Sequence, residues 1–301
     1  MFNSKTTGRL GRRAALRSNI SGWMIMLPTL ILFAFFVWEP LLESIRLSFY
    51  STKGFNTVTF VGLKNYRNLF AHPSFWPAIR NTFVYIFYSL VLGFWVPLFM
   101  AVMITEAIRG KGFFRVGVYF PNIMPGLATI IIWSYIYSSE GTGILNIMLG
   151  WFGVDAVRWL SIPKLTIPLI VLTMTWKSAG STALIYMAGI SGINAELYEA
   201  AALDGAGIWK RVRHVIFPSI FRLSRTMLIL QIISVFQILY EPLMLTNGGP
   251  NLASISIMQL VYTYAFQDFN YAMAAALSVL ICFILVILTI IYFALTRKID
   301  D

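Results

Sequence analysis

The chain has 301 residues, of which 58% are hydrophobic and only 12% are charged, with a mean hydropathy of +0.75. Because a soluble domain carries about 25% charged residues, this composition indicates an integral membrane protein. The net charge of +11 does not require a nucleic-acid partner, since Lys and Arg also orient membrane proteins at the anionic inner surface of the bilayer. Two His and one Cys leave no disulfide pair and no thiolate metal cluster, so cysteine chemistry carries no functional argument. The sequence predicts no catalytic residue, metal site or cofactor.

The chain begins with a basic arm, residues 1–19, which precedes the first apolar stretch. The basic residues of this arm are Lys5, Arg9, Arg12, Arg13 and Arg17. The arm is similar to the basic region of a signal peptide, but the apolar stretch ends in Trp-Glu-Pro-Leu-Leu-Glu at 38–43, without a small-x-small cleavage site. We therefore expect an uncleaved first span behind a cytoplasmic arm.

Six apolar runs have the length of roughly 20 residues that a transmembrane helix needs. They lie near residues 20–38, 82–105, 116–137, 167–189, 227–245 and 271–295. The sequence thus predicts an all-α integral membrane protein whose transmembrane domain, residues 20–298, contains six transmembrane helices. No inverted or tandem repeat of this unit is visible, which argues against a complete secondary transporter built from paired halves.

The positive charges predict the orientation of the spans. With the N-terminus inside, the four internal segments contain five, three, five and two of the 23 Lys and Arg residues. Because Lys and Arg accumulate on the cytoplasmic side, this asymmetry predicts that both termini are inside, the N-in/C-in topology. In the last external segment, residues 252–266 are apolar but too short to cross, and they suit a re-entrant or interfacial helix.

A polar loop, residues 194–218, joins the predicted fourth and fifth spans on the internal side; it is called the Glu199 loop below. Asn194 is a suitable N-cap and Gly205 can adopt the left-handed conformation that ends a helix, so a helix of about ten residues is predicted from Ala195. Three consecutive Ala residues, 200–202, leave a surface without bulk that permits close approach by a partner. The alternative is an ordinary connector, because Ala favours helices and Asp-Gly favours turns.

The second half of this loop is basic. Residues 209–216 predict a separate amphipathic helix that lies along the membrane surface. Its apolar side consists of Trp209, Val212 and Ile216, and its polar side consists of Lys210, Arg211, Arg213 and His214. The polar side is expected to face headgroups or water. Pro218 is expected to bend or restart the chain into the fifth span.

The Glu199 loop resembles the EAA loop of ABC importer permeases, in which Glu-Ala-Ala is followed after two residues by Asp-Gly-Ala and further on by Pro. The matching residues are Glu199, Ala200, Ala201, Asp204, Gly205, Ala206 and Pro218. Residues 60–66 and 245–250 resemble the carbohydrate and glycerol-phosphate uptake branch of these permeases. The resemblance therefore extends over nearly the whole chain, from residue 20 to residue 298.

This resemblance implies a multi-pass permease of a bacterial-type inner membrane that imports a sugar or oligosaccharide. It also implies four kinds of partner: a second homologous permease, two ATP-binding cassette ATPase subunits, an extracytoplasmic solute-binding protein and the lipid bilayer. The matching Glu-Ala-Ala and Asp-Gly-Ala residues would form a coupling helix that inserts into the ATPase. The chain contains no Gly-x-x-x-x-Gly-Lys-Ser/Thr, so it is expected neither to bind nor to hydrolyse ATP.

Several polar residues lie inside the predicted spans, where hydrocarbon disfavours them, so they should face a cavity or each other. They are Trp176 and Lys177 in the fourth span, and Gln231, Gln237, Tyr240 and Glu241 in the fifth. A sugar site needs aromatic faces for the ring and amide or carboxylate groups for the hydroxyls. The predicted substrate pathway therefore consists of Trp176, Lys177, Gln237, Tyr240 and Glu241. The alternative is that Lys177 and Glu241 form a buried pair or lie at the membrane edge.

Other functions suit the sequence less well. Glycerol phosphate or another polar solute would use the same machinery. A stand-alone carrier or channel would need repeated halves or a symmetric pore ring, and it gives no reason for the Glu199 loop. A membrane enzyme would need clustered His, Asp or Glu, whereas the chain has two His and 12 scattered carboxylates.

Overall fold

The computed structural model describes residues 22–53, 56–106 and 109–300. In chain order its helical elements are α1 (Gly22–Ser48), α2 (Lys64–Ala71), α3 (Phe75–Glu106), α4 (Lys111–Ile123), α5 (Gly126–Ile136), α6 (Ile144–Gly150), a 3-10 turn (Trp159–Ser161), α7 (Pro163–Ser191), α8 (Ala195–Leu203), α9 (Ile208–Phe236), α10 (Tyr240–Thr246), α11 (Ile257–Tyr262) with a π turn (Thr263–Gln267), and α12 (Tyr271–Asp300). The predicted basic arm, residues 1–19, lies outside the described residues.

A two-stranded antiparallel hairpin departs from the all-α prediction. Strand β1 is Tyr50–Lys53 and strand β2 is Asn56–Phe60. β2 is rich in Thr, Val and Phe, residue types that favour extended backbone, but the run is too short to stand out from the sequence. The Asn65 amide donates to the carbonyls of Ser48 and Tyr50, at 2.9 Å each, and so ties the hairpin to α1 and α2.

Four helices are long and apolar enough to cross a membrane, namely α1, α3, α9 and α12. α4 and α5 together form a fifth candidate, although they are bent by 95° at the short break between them. The predicted fourth span corresponds to α7, a 29-residue helix that carries Lys177 and many Ser and Thr residues and is not apolar enough to join this group. The described residues thus give four to five span candidates, and the count of six stays a prediction.

α7, the predicted fourth span, is polar because it lies inside the helix assembly. Twelve of its residues are buried, and it packs against α3, α4 and α9. Gly180 is a point of very close approach, since a Cβ atom there would overlap the backbone carbonyl of Val118 in α4. Side chains that contact protein instead of lipid do not need to be apolar throughout, so burial explains the composition of α7.

The predicted third span, residues 116–137, is broken. α4 ends at Ile123 and α5 starts at Gly126. The two residues between them, Met124 and Pro125, are extended. Proline disfavours helical backbone at the residue before it, and Pro125 therefore ends α4 where hydropathy alone suggests a continuous helix.

The predicted fifth span, residues 227–245, is broken as well. α9 and α10 are separated at residues 237–239. In a continuous helix the ring of Pro242 would clash with the carbonyl of Ile238, four residues earlier. In the structure this carbonyl instead accepts a hydrogen bond from Ser256 Oγ at 2.6 Å.

The predicted amphipathic segment is part of α9. Residues 209–216 do not form a separate helix, because α9 runs on from Ile208 through a π turn at Val212–Ile216. Pro218 follows this π turn directly, and the backbone on both sides of it is helical. The helix therefore continues instead of restarting at Pro218. Trp209, predicted on the apolar side, is 78% exposed.

The connection between α10 and α11 is held in place by α3. Asn81 Nδ2 donates to the carbonyls of Leu252 and Ile255, at 2.7 and 3.1 Å. The Tyr85 hydroxyl donates to the carbonyl of Ser254 at 2.8 Å. Asn81 and Tyr85 are 1% and 0% exposed, so buried long-range hydrogen bonds order this connection.

Buried apolar side chains form three clusters. The first joins α2, α3, α11 and α12, and the second joins α3, α7 and the end of α9. The third joins the ends of α3 and α7 to the start of α9, and Ile193 and Tyr198 pack against it. This third cluster anchors the Glu199 loop. Residues 252–266 are predicted as a re-entrant or interfacial helix. They contain α11, which packs in the first cluster, and their position relative to the membrane stays a prediction.

Candidate functional site

The Glu199 loop begins with the predicted short helix. α8 is nine residues long, and the side chain of Asn194 caps it by accepting a hydrogen bond from the N–H of Glu196 at 3.1 Å. At the other end Gly205 has a φ of +64°. The N–H groups of Gly205 and Ala206 donate to carbonyls in the last turn of α8, the Schellman arrangement. Local backbone chemistry thus fixes both ends of α8, as predicted.

α8 projects from the helix assembly. Leu203 is 90% exposed and Leu197 is 49% exposed. Of the predicted coupling residues, Glu199, Ala200, Asp204 and Gly205 are exposed, whereas Ala201 and Ala206 are half-buried. Beside α8 lies a cleft of about 350 Å³, which is lined by Leu197, Ala200, Ala201, Asp204, Ala206, Lys210, His214 and Val215. Exposed apolar side chains next to a cleft are typical of a surface that receives a partner protein.

An ion pair that the sequence did not predict connects this loop to α3. Arg211 Nη2 lies 2.6 Å from Glu106 Oε2, and the two side chains are 28% and 10% exposed. Arg211 was expected to face headgroups or water and is instead turned towards α3. One signal was available, since Glu106 is an acidic residue at the inner end of a predicted span where the neighbouring charges are basic.

Tyr198 of α8 lies beside this pair. Burial raises the pKa of the Tyr198 hydroxyl, the Glu106 carboxylate raises it further, and the Arg211 guanidinium lowers it. Because the net direction is upward, the hydroxyl stays protonated at neutral pH and can donate a hydrogen bond. Tyr198 Oη and Arg211 Nε are buried without a hydrogen-bond partner among the described residues.

A second candidate site is a polar cleft of about 370 Å³. It brings together four of the five residues predicted for a substrate pathway, namely Lys177, Gln237, Tyr240 and Glu241. The other lining residues are Asn122, Met174, Ser178, Ser234, Ile238 and Leu239. Asn122, Ser178 and Ser234 were not predicted, although each is a polar residue inside an apolar run. Amide, hydroxyl, ammonium and carboxylate groups beside a phenol ring can hydrogen-bond a polyhydroxylated solute.

The helix breaks position these groups. Lys177 lies midway along α7, whereas Gln237 and Glu241 lie at the break between α9 and α10. The break between α4 and α5 lies beside these residues, because a Cβ atom on Gly126 would lie 3.1 Å from the Tyr240 ring and 3.4 Å from Lys177 Nζ. Non-helical backbone at membrane depth is tolerated where it lines a cavity or is buried in protein, which fits two breaks beside one cleft.

Trp176 does not join the polar cleft. Adjacent helical residues point about 100° apart, and Trp176 packs against Trp133, with ring centroids 5.7 Å apart, on a different side of α7 from Lys177. It lines a separate apolar cleft between α3, α4 and α7. Gln231 is used in helix packing, since its Nε2 donates to Ser89 Oγ at 2.6 Å.

The chain is similar over most of its length to known membrane proteins. Residues 93–301 match the family described as "Binding-protein-dependent transport system inner membrane component". The probable ABC transporter permease protein YurN of Bacillus subtilis is 32% identical over 272 residues, which cover 88% of this chain and 92% of YurN. The trehalose/maltose transport system permease protein MalF of Thermococcus litoralis is 30% identical over 301 residues, which cover 99% of both proteins.

Solved structures show the same architecture. A chain of a bacterial ABC transporter involved in the import of the acidic polysaccharide alginate has a TM-score of 0.84 and 26% sequence identity, covering 97% of this chain and 100% of that one. The alginate transporter in complex with an alginate pentasaccharide-bound periplasmic protein gives a TM-score of 0.83 at 26% identity, covering 96% of this chain and 98% of that one.

Proposed function

The chain belongs to the family of binding-protein-dependent transport system inner membrane components, and from this premise we propose that an ATP-driven ABC importer moves a sugar or oligosaccharide through it. The chain is a transport subunit of the inner membrane and not an enzyme. An extracytoplasmic binding protein delivers the solute, and a second homologous permease and two ATP-binding cassette subunits complete the importer.

The observation that carries this proposal is the exposed, doubly capped helix α8. Most of its residues are exposed, while Tyr198 and Ile193 anchor it to the ends of α3 and α7. A rigid, exposed element on an anchored base suits an ATPase that drives the spans between inward-open and outward-open states. We assign the coupling to Glu199, Ala200, Ala201, Asp204, Gly205 and Ala206.

We assign the solute pathway to the polar cleft, with Lys177, Gln237, Tyr240 and Glu241 in it. The sugar class rests on the hydrogen-bonding groups of the cleft and on relatives that are named for trehalose, maltose and alginate. Trp176 lies outside the cleft, so contact between Trp176 and the solute requires a different arrangement of α4 and α7.

We further propose six spans, with α7 among them, and both termini and the Glu199 loop in the cytoplasm. The distribution of basic residues supports this orientation. In a Cys282→Ser background, cysteines at Ala202 and Asn247 should be labelled by an impermeant thiol reagent from opposite sides of the membrane. Labelling of Ala202→Cys from outside intact cells would overturn this topology.

The partners follow from the openness of the cleft and from a relative. Gln237 is exposed, and a polar cleft that faced lipid would be unfavourable, so the second permease closes it. The alginate transporter binds a periplasmic protein that carries its saccharide, which supports a binding protein as a partner here.

The test of the coupling role compares the complete importer, reconstituted in proteoliposomes, with and without Glu199→Lys. Losing a desolvated charge contact at an interface costs about 2–5 kcal/mol, which weakens docking by roughly tenfold or more. We expect uptake and substrate-stimulated ATP hydrolysis to fall together at normal membrane levels, with partial rescue by an acidic substitution on the ATPase. Glu140→Lys, at another exposed Glu, is the matched control. Wild-type uptake with intact co-purification in Glu199→Lys would mean that the loop is only a connector.

Lys177 favours a second candidate, the import of an acidic saccharide or a glycerol phosphate. Its ammonium group lines the cleft, where it can pair with a carboxylate or phosphate, and one similar transporter imports an acidic polysaccharide. Lys177→Met should then reduce uptake of acidic solutes much more than uptake of neutral sugars. An equal effect on both would favour a neutral sugar.

A further inference from the structure

We propose that the Glu106–Arg211 ion pair is the mechanical link that makes the Glu199 loop and α3 move together, an inference that rests on the proposed coupling role of this loop. Glu106 is the last residue of α3 and Arg211 lies in the first turns of α9. The two residues are 105 positions apart in the sequence. Neither lines the polar cleft, so both are positioning residues.

The burial of this pair sets it apart from an ordinary surface contact. Glu106 is 10% exposed and lies in the last described turn of α3, where the macrodipole disfavours a carboxylate, and the facing Arg211 cation offsets both effects. Removing one partner of such a pair leaves an uncompensated charge. The ion pair between Glu43 and Arg46 is different, since it lies within one helix with side chains 47% and 56% exposed.

The surrounding contacts direct movement of α8 into α3. Lys111 Nζ donates to the Thr105 carbonyl at 2.6 Å and holds the same end of α3. Tyr198, one residue before Glu199, packs on the cluster formed by the ends of α3 and α7. Because the rest of α8 is largely exposed, Tyr198 and the Arg211 side chain are two side-chain contacts through which a push on the Glu199 loop reaches α3.

The link also has unused donors. Arg211 Nε and Tyr198 Oη are buried without a hydrogen-bond partner in the described part of the chain. A carboxylate accepts several hydrogen bonds, and Glu106 is near enough to raise the pKa of the Tyr198 hydroxyl, so a shift that closes the gap between them lets Tyr198 donate to Glu106 while Arg211 stays attached. The link can therefore hold in more than one position of α8, as an element that switches between states requires.

The test measures solute taken up per ATP hydrolysed by the complete importer in proteoliposomes. We expect Glu106→Gln and Arg211→Gln to assemble with the ATPases and hydrolyse ATP, but to lose about tenfold in uptake per ATP, within the usual range for coupling between two sites. The double variant Glu106→Arg/Arg211→Glu should recover most of this loss. Glu43→Gln, in the exposed ion pair, is the matched control and should change nothing.

Unchanged uptake per ATP in Glu106→Gln would overturn the inference. So would a loss of uptake that is explained by the amount of assembled importer alone and is not recovered by the charge swap. If Glu106→Gln does not assemble, uptake per ATP hydrolysed is measured in Arg211→Lys instead, because this variant keeps the charge but loses the guanidinium geometry. Failure of the wild-type importer to couple ATP hydrolysis to uptake would instead contradict the proposed function, so the two failures are distinguishable.

Discussion

Helix α8 and the connection between α10 and α11 are ordered by opposite means. α8 is exposed, and its ends are fixed by neighbours in the sequence, Asn194 and Gly205. The α10–α11 connection is held by Asn81 and Tyr85 of α3, which are 171 and 169 residues away from their acceptors. A segment that is ordered locally can move as a unit, whereas one that is ordered by distant side chains is tied to the stability of the whole assembly.

This difference separates two kinds of damage. Changes that free the α10–α11 connection should lower the stability of the helix assembly. Changes at the ends of α8 should lower uptake and leave that stability nearly unchanged.

The largest expected effect on stability is that of Asn81→Ala. This change removes the donor to one buried and one part-buried carbonyl, and leaving these acceptors unsatisfied costs about 3 kcal/mol in total. Thermal unfolding of the detergent-solubilised protein should show the loss. Asn81→Asp should be worse, because it turns a carboxylate towards the same carbonyls. A milder effect of Asp than of Ala would mean that side-chain volume, and not hydrogen bonding, orders this connection.

Tyr85→Phe is expected to have the next largest effect on stability. It removes one hydrogen bond, to the Ser254 carbonyl, without a change in ring packing, and it should lower the free energy of unfolding by about 1–2 kcal/mol. Tyr135→Phe is the control, since Tyr135 is 53% exposed. Equal shifts in unfolding temperature for the two variants would contradict the role given to Tyr85.

Gly205→Val should lower uptake and not the stability of the helix assembly. A β-branched residue at a φ of +64° introduces strain of about 1–2 kcal/mol, and this strain is confined to the end of α8. Uptake should fall severalfold while the unfolding temperature stays near that of the wild type. Gly205→Asn should retain uptake, because Asn tolerates the left-handed conformation. A large fall in unfolding temperature would show that the loop is not independent.

The smallest expected effect is that of Asn194→Ala. Loss of an N-cap costs about 1 kcal/mol, which corresponds to roughly fivefold faster opening of the helix. Hydrogen exchange should therefore quicken for the amides of α8 and not for those of α7. Asn194→Asp, which keeps a capping oxygen, should exchange like the wild type, and equal acceleration in both variants would rule out capping as the cause.

The contrast also explains which parts of the fold were predictable. α8 was predictable because a cap and a C-terminal Gly act over a few residues. The breaks in the third and fifth predicted spans each have a proline nearby, Pro125 and Pro242, but hydropathy dominated the prediction. The hydrogen bond that Ser256 gives to the freed Ile238 carbonyl depends on a fold that brings distant segments together, so no local pattern reveals it.

The candidate sites show the same division. Polar residues inside apolar runs indicated four members of the polar cleft, because lipid disfavours them wherever the chain goes. Trp176 lies outside the polar cleft because adjacency in sequence does not mean a shared helix face. Glu106 was missed because the charge pattern was used for orientation, and a single acidic residue carries no weight there.

The polarity of α7 has a consequence for biogenesis. A helix that is not apolar enough to prefer lipid is poorly inserted by partitioning alone. α3 and α4 leave the ribosome before α7, and the contact of Gly180 with Val118 gives α7 a protein surface in place of lipid. We expect α7 to leave the translocon only in company with these earlier helices. A glycosylation reporter placed after α7 should therefore show correct insertion of α7 in the full chain and failed insertion in Gly180→Leu. The order of synthesis then becomes part of the folding pathway.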